Sequence, residues 1–329
     1  MAVEPGLSEY ITTIQRNRQK VVRDNIGNNN AAFAAGKQHG MFESYSGGRT
    51  IVEEMFFDDV SSFNWIDNGS VVSTGSNPVM TAAEYNHKMC CVAVYLSDWE
   101  KLINSGPEGV IKLAAKRTEA AEITALNKIN ASFFGDGTGS GGKEPGGLGL
   151  LVTSSPSTGT VGSIDRSTTG GAFFRNYALA VNSTFGANKN AANIKQAYQR
   201  ALLNVERAND GTLIGLVGTT DMESIQIASQ GIQRVQNEGL AKLGFKNIEF
   251  EGVPLVHCGG INFGGETLIG STTTYFVNPK YLKLRYHKDC WMDPVEERQS
   301  VNQLASIKFL ASMFNFTLAG AKQHAIVTD

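Results

Sequence analysis

The sequence lacks any run of eighteen apolar residues, is poor in cysteine, histidine and proline, and has almost no net charge. Each shortage removes a class of protein. Without a long apolar run there is no candidate transmembrane helix. The opening stretch, MAVEPGLSEY, has neither the basic start nor the apolar core of a signal peptide. The four cysteines, Cys90, Cys91, Cys258 and Cys290, form no C-x-x-C pair. Adjacent residues on a strand face opposite ways, so Cys90 and Cys91 are poorly placed to share a metal, and free thiols in a reducing cytoplasm are expected. The five histidines, His39, His87, His257, His287 and His324, are scattered, with no metal-ligand spacing. G-x-S-x-G is absent, and with it the nucleophile elbow. With 29 basic and 31 acidic residues, the chain is not one whose main task is gripping nucleic acid, although it could enclose it. No catalytic residue, metal or cofactor is expected.

What is present is a foldable chain of 329 residues, 41% hydrophobic and 18% charged, with 36 glycines against 8 prolines. Residues 133–147, FFGDGTGSGGKEPGG, are the first stretch to suggest chemistry. Gly137, Gly142 and Lys143 fit G-x-x-x-x-G-K, and Gly137, Gly139 and Gly142 fit G-x-G-x-x-G. A phosphate loop needs a strand before it, a helix after it and a hydroxyl next to the lysine. Here Glu144 follows Lys143, Pro145-Gly146-Gly147 opens a helix poorly, and the upstream pattern is helical. The stretch reads as a linker.

That upstream pattern is the strongest in the chain. Pro107 and Glu108 open it, and Val110, Ile111, Ala114, Ala121, Ala125, Ile129 and Phe133 recur at helical spacing up to Gly135. This predicts a rod of about 42 Å at 1.5 Å per residue. Before it, RTIVEEMFF, SSFNWID, SVVST and KMCCVAVYL alternate with turn signals at 67–69 and 75–78, predicting a two-armed β-excursion over 47–96. Residues 7–24 predict a weak amphipathic helix, and the first forty-odd residues have too few apolar positions to close a core. After the loop-rich stretch 146–190, helices are expected over 191–208 and 220–238, the second capped by Thr220 or Asp221, with a buried strand at 212–218 and another in NIEFEGVPLVHC. The chain then returns to β structure from 268, with the long helix as the expected partner.

The acidic group Glu53, Glu54, Asp58 and Asp59 reads as a solvated or charge-matching strand face rather than an acid/base pair. An arm, an excursion, a long helix and a separate α/β unit, each short of partners for its apolar surface, describe a subunit that buries itself against other copies.

The order of GGRTIVEEMFF, TAAEYNHKMCCVAVYLSDWEKLINSG, the long helix, FFGDGTG, GGLGLLV, TGTVGSIDR and FFRNY resembles the major capsid proteins of tailed bacteriophages with the HK97-like fold. The wording is shared over 45–180, and the rest by topology. Ser163 and Phe174 stand where the family pattern has glycine and tryptophan. The resemblance implies an α+β fold with an N-terminal arm (1–46), an extended E-loop (47–96), a peripheral P domain with its spine helix (97–145), an axial A domain (146–267) and P-domain return strands (268–329). It implies self-assembly into hexamers and pentamers of a virion shell, built in the host bacterial cytoplasm. The partners it implies are a portal, scaffolding or decoration proteins where needed, and DNA enclosed without specific binding. Expected inter-subunit contacts are Arg49, Glu53, Glu54 and Trp65 on the E-loop and Lys112, Lys116 and Arg117 on the spine helix. The E-loop's one lysine, Lys88, is remote from the tip at 67–78, so no covalent cross-linking is expected. With an E-loop starting near residue 47, no cleaved scaffolding domain is expected within this chain. Two other readings are a nanocompartment shell of the same fold and a nucleotide-dependent enzyme using the Gly137 to Lys143 loop.

Overall fold

The computed structural model describes residues 31–72, 74–103, 107–206, 213–229, 247–258, 268–294, 298–299 and 304–329; the helix expected over 7–24 lies outside them. The described chain opens with helix α1 (Ala31–Gln38) and strand β1 (Phe42–Tyr45). Strands β2 (Ile51–Phe56) and β3 (Met80–Tyr85) follow, then β4 (Lys88–Ser97), which runs into the short helix α2 (Asp98–Ile103). Helix α3 (Pro107–Phe134) has 28 residues and begins at the expected proline. Next come β5 (Thr160–Val161), β6 (Ile164–Asp165), β7 (Tyr177–Ala180), helix α4 (Ile194–Val205), β8 (Ile214–Val217) and helix α5 (Thr219–Ala228). The rest is β9 (Asn247–Phe250), β10 (Val253–His257), β11 (Thr274–Val277), β12 (Leu282–Pro294), β13 (Arg298–Gln299), β14 (Ala305–Leu318) and β15 (Ala325–Thr328).

Two sheets organise these elements. The first has the order β1-β12-β14-β13, with β4 on the other edge of β14. β14 is long enough to serve both edges: Leu310 to Leu318 pair with β12 while Ala305 to Phe314 pair with β4. KMCCVAVYL therefore belongs to this sheet and not to the excursion: it pairs with β14 along its length, and alternate residues Val94 and Leu96 are buried. Ala121 of α3 packs with Val94 and Leu310, and its small side chain lets the helix lie close to the sheet. The second sheet has the order β7-β15-β11-β8-β10-β9. β11 and β15 were expected under the long helix; they lie here instead, paired side by side, and share a core with Ala197, Tyr198 and Ala201 of α4. The expected strand in NIEFEGVPLVHC is a hairpin, turned by Glu251 and Gly252 at positive φ. Gly218, not Thr220 or Asp221, is the N-cap of α5. Asp221 turns inward to a buried ion pair with Lys189 at 2.6 Å.

The two sheets share one core. Phe133, near the end of α3, meets Phe316 of β14 at 5.2 Å and Phe33 of α1 at 5.7 Å. Residues 31–45 are thus core, not arm: α1 buries Ala32, Phe33 and Ala35 at the junction, and β1 pairs in parallel with β12. Truncating a fully buried phenylalanine of this kind costs about 3–5 kcal/mol.

One departure from the family wording has a backbone explanation. Gly162 and Ser163 join β5 to β6 with φ of 56° and 65°, both left-handed, as a two-residue hairpin turn demands. Gly162 also lies against Ala83 and Tyr85, leaving no room for a Cβ. Ser163 pays about 1–2 kcal/mol for its conformation, and glycine there would lose about 0.5–1 kcal/mol in unfolded-state entropy. Ser163→Gly is therefore expected to stabilise the chain by about 0.5–1 kcal/mol, read as a rise of about 1–3 °C in melting temperature. A fall in melting temperature would show that the serine hydroxyl matters more than the backbone.

Candidate functional site

The feature that no internal packing explains is the hairpin between β2 and β3. Its stem alternates: Ile51, Glu53 and Met55 face the body, while Val52, Glu54 and Phe56 face out. The inward side is tied down at several points. Glu53 accepts from Arg285 Nε at 2.7 Å and Nη2 at 3.0 Å, and from Thr317 Oγ1 at 2.8 Å. Arg285 also meets Glu43 at 2.7 Å, and these carboxylates hold its guanidinium above the ordinary arginine range. Tyr85 donates to the Leu318 carbonyl at 2.9 Å and accepts from the Leu318 N–H at 3.2 Å. Glu84 N–H donates to the Gly162 carbonyl at 3.0 Å.

Beyond the stem the ladder ends. Phe57 stacks on Phe173 at 5.4 Å. Past it, Val60, Phe63, Trp65, Ile66 and Val71 are exposed, Trp65 at 93% and Val71 at 94%. The segment is nevertheless shaped. Asn77 bridges back to Asp59 and Ser61 at 2.9 Å, and Asp67 and Ser70 close the expected turn. Phe63 and Trp65 meet edge to face at 5.5 Å. The exposed apolar side chains on this structured arm are more than the single scattered ones that need no explanation. Where the stem meets the body, a groove of about 650 Å³ runs between residues 54–59, Phe173, Phe174 and the turn 319–323.

The expected contact residues separate under this geometry. Trp65 and Glu54 are exposed on the hairpin, and Arg49 is exposed just before β2. Glu53 is not available to a neighbour: it is 7% exposed and held within the chain by Arg285 and Thr317. On α3, Lys116 is exposed. Arg117 folds back onto the Tyr95 carbonyl and the Glu100 carboxylate, each at 2.5 Å. The Lys112 side chain lies outside the described residues. The basic stripe of Lys112, Lys116 and Arg117 is thus broken by an in-chain pair. Lys88, at the hairpin's foot, donates to the Gly142 carbonyl at 2.5 Å. Arg285 and Thr317, which the sequence reading missed, lie more than two hundred residues from Glu53 and carry no local signal.

The glycine loop does not form a phosphate cradle. It follows helix α3, and Ser140 Oγ bonds Glu144 Oε1 at 2.9 Å, laying that carboxylate over Gly139. A phosphate would meet a negative charge there. None of the four cysteines is in a disulfide, and burial pushes the Cys90 thiol up to about 11. Among the described residues no cluster of His, Cys, Asp and Glu could hold a metal, and no helix is long and apolar enough to cross a membrane.

No protein-family model matches the sequence, and no curated protein does either. Solved structures do. A chain of the cyanophage A-1(L) capsid superposes with a TM-score of 0.60 at 11% identity, over 89% of this chain and 92% of that one. The chain has the HK97-like capsid fold. The capsid of a native GTA particle matches the same HK97-like fold at 0.58, with 9% identity over 89% of each chain. The SrpI encapsulin of Synechococcus elongatus matches at 0.51, with 10% identity over 89% of this chain and 86% of that one. With about one residue in ten shared, the HK97-like fold is carried by element order and burial pattern, not by common side chains.

Proposed function

We propose that this chain is the major capsid protein of a tailed bacteriophage, a non-enzymatic subunit that assembles into an icosahedral shell around double-stranded DNA. The observation that carries the reading is the anchored hairpin with its exposed apolar arm. Its stem is tied to the body, the span beyond the stem is shaped, and the apolar side chains of that span are exposed. In this reading the β2–β3 hairpin, with the span between its strands, is the E-loop, which lies over a neighbouring copy, α3 is the spine helix of the P domain, and the second sheet is the core of the A domain. The contacts proposed are Trp65, Glu54 and Arg49, with Lys116 as the remaining basic candidate on the helix. Each contact is modest, and a closed shell multiplies it. The other partners are a portal and, where assembly needs them, scaffolding or decoration proteins. The near-neutral chain encloses DNA without gripping it. Assembly takes place in the host cytoplasm.

Electron microscopy of the purified full chain is expected to show closed icosahedral particles made of hexamers and pentamers. A chain that stays monomeric under all conditions counts against the reading. The encapsulin likeness supports a second reading, a cargo shell, and particles that co-purify with an enzyme rather than with packaged DNA favour it. No covalent joining is expected, because Lys88 sits at the hairpin's foot and not near its tip. Boiled particles should run as a single band at the 35.4 kDa of one chain; a ladder of heavier bands would overturn this.

A further inference from the structure

We infer that Arg166 anchors an internal binding site for a small monovalent anion of chloride size, held by the Nε and Nη1 groups of its guanidinium. Arg166 follows β6 and is 0% exposed. It is fixed from several sides. Its backbone N–H donates to the Gly159 carbonyl at 3.0 Å, Nη2 donates to the Leu151 carbonyl at 2.7 Å, and its Cζ lies 5.3 Å from the centre of the Phe174 ring. Nε and Nη1 are buried and meet no acceptor among the described residues.

The other buried cations are paired: Lys189 has Asp221, and Arg285 has Glu53 and Glu43. Among the described residues no aspartate or glutamate forms an ion pair with Arg166. Its electrostatic neighbours are Tyr85, a phenol that burial keeps protonated, and His324. His324 is also 0% exposed. Its Nδ1 accepts the Asn278 N–H at 3.2 Å, and its ring also faces the Gly320 backbone. The two unsatisfied groups of Arg166 are both donors and carry its positive charge. Burial lowers the Arg166 pKa only to about 10, so the charge persists at neutral pH.

Leaving a guanidinium unpaired in the interior is strongly unfavourable, and Nε with Nη1 forms one edge of the planar donor fork that anions occupy. Water offers an acceptor but no charge. A carboxylate on another chain has no access to a fully covered side chain. A small free ion satisfies both needs. The Phe174 ring that stacks on Arg166 also lines the groove beside the hairpin stem, so the site lies one ring behind an open surface. The rim carries Lys322 along with Glu54, Asp58 and Asp59. The site is contained in one chain and does not rest on the shell reading.

The test is thermal melting of the full chain from about 1 to 100 mM chloride, with gluconate holding ionic strength constant. The melting temperature should rise with chloride, each tenfold step above the dissociation constant being worth about 1.4 kcal/mol. Arg166→Met should abolish the dependence, and should match or exceed the parent at the lowest chloride. Should Arg166→Met fail to fold, crystals of the unchanged protein soaked in bromide supply a second measurement, with an anomalous peak expected within contact of Nε and Nη1. A parent whose melting ignores chloride, an Arg166→Met protein that keeps the full dependence, or a water without anomalous signal at that position would each overturn the proposal.

Discussion

Glu53→Lys is expected to leave little folded subunit, whereas the same change one residue later, Glu54→Lys, should hardly move the melting temperature. The two carboxylates are neighbours in sequence and opposites in structure. Glu53 faces the body and takes both forks of Arg285 together with the Thr317 hydroxyl. Removing it leaves Arg285 with Glu43 alone, a residue whose side chain is 49% exposed, and the new lysine adds a second cation to the same space. Breaking a buried pair from one side costs about 3–5 kcal/mol, a large share of the ~5–15 kcal/mol that holds a typical domain together. Glu54 points to water, where a reversal stays within about 0.5 kcal/mol. Circular dichroism melts of the two variants decide the matter. If Glu53→Lys melts within about 2 °C of the parent, the Arg285 pair does not hold the stem. By the same logic, Arg117→Glu is no clean probe of docking, since it breaks the Glu100 pair first. Glu54 and Lys116 are the reversals that leave the subunit intact.

Trp65→Ala should do the reverse of Glu53→Lys: a normal subunit that fails to assemble. At 93% exposure the indole contributes almost nothing to its own chain beyond the edge contact with Phe63. Docked on another copy it is the kind of aromatic anchor that dominates an interface, at about 2–4 kcal/mol on truncation. Since each 1.4 kcal/mol is a factor of ten, the concentration needed for assembly should rise roughly thirty- to a thousandfold. Light scattering against concentration, alongside a melt of the unassembled chain, separates the two effects. Unchanged assembly would remove Trp65 from the interface, and a lowered melt would make it a structural residue.

Much of this fold was legible because local patterns were strong. Helix α3 announced its own start at Pro107 and its apolar stripe, and the turn at 67–70 followed from Asp, Asn and Gly. What the sequence hid was pairing. Nothing local tells KMCCVAVYL that its partner is β14, two hundred residues on, or that β15 belongs beside β11 in the other sheet. Phe33 gave no warning either: one buried phenylalanine among alanines makes a weak helical stripe, and it is the junction around Phe133 and Phe316 that turns α1 into core. In the sequence the acidic run at Glu53 and Glu54 forms a single charged face only if strand alternation is ignored. The strand pleat separates the two, and it assigns one to stability and the other to the surface.

The way Glu53 is held determines how the arm carries tension. Its carboxylate grips β12 through Arg285 and β14 through Thr317, two strands that run antiparallel with Leu284 opposite Phe316. A pull on the distal end of the arm is handed at that point to a pair of long strands lying side by side. A free hairpin hauled apart from one end opens like a zipper, one rung at a time and at low force. Here the load is shared between β12 and β14, so the arm acts as a guy rope staked into two long paired strands. If neighbouring copies are drawn outward by pressure from within, the irregular span beyond Phe57 straightens first, and the anchorage is the last part to yield.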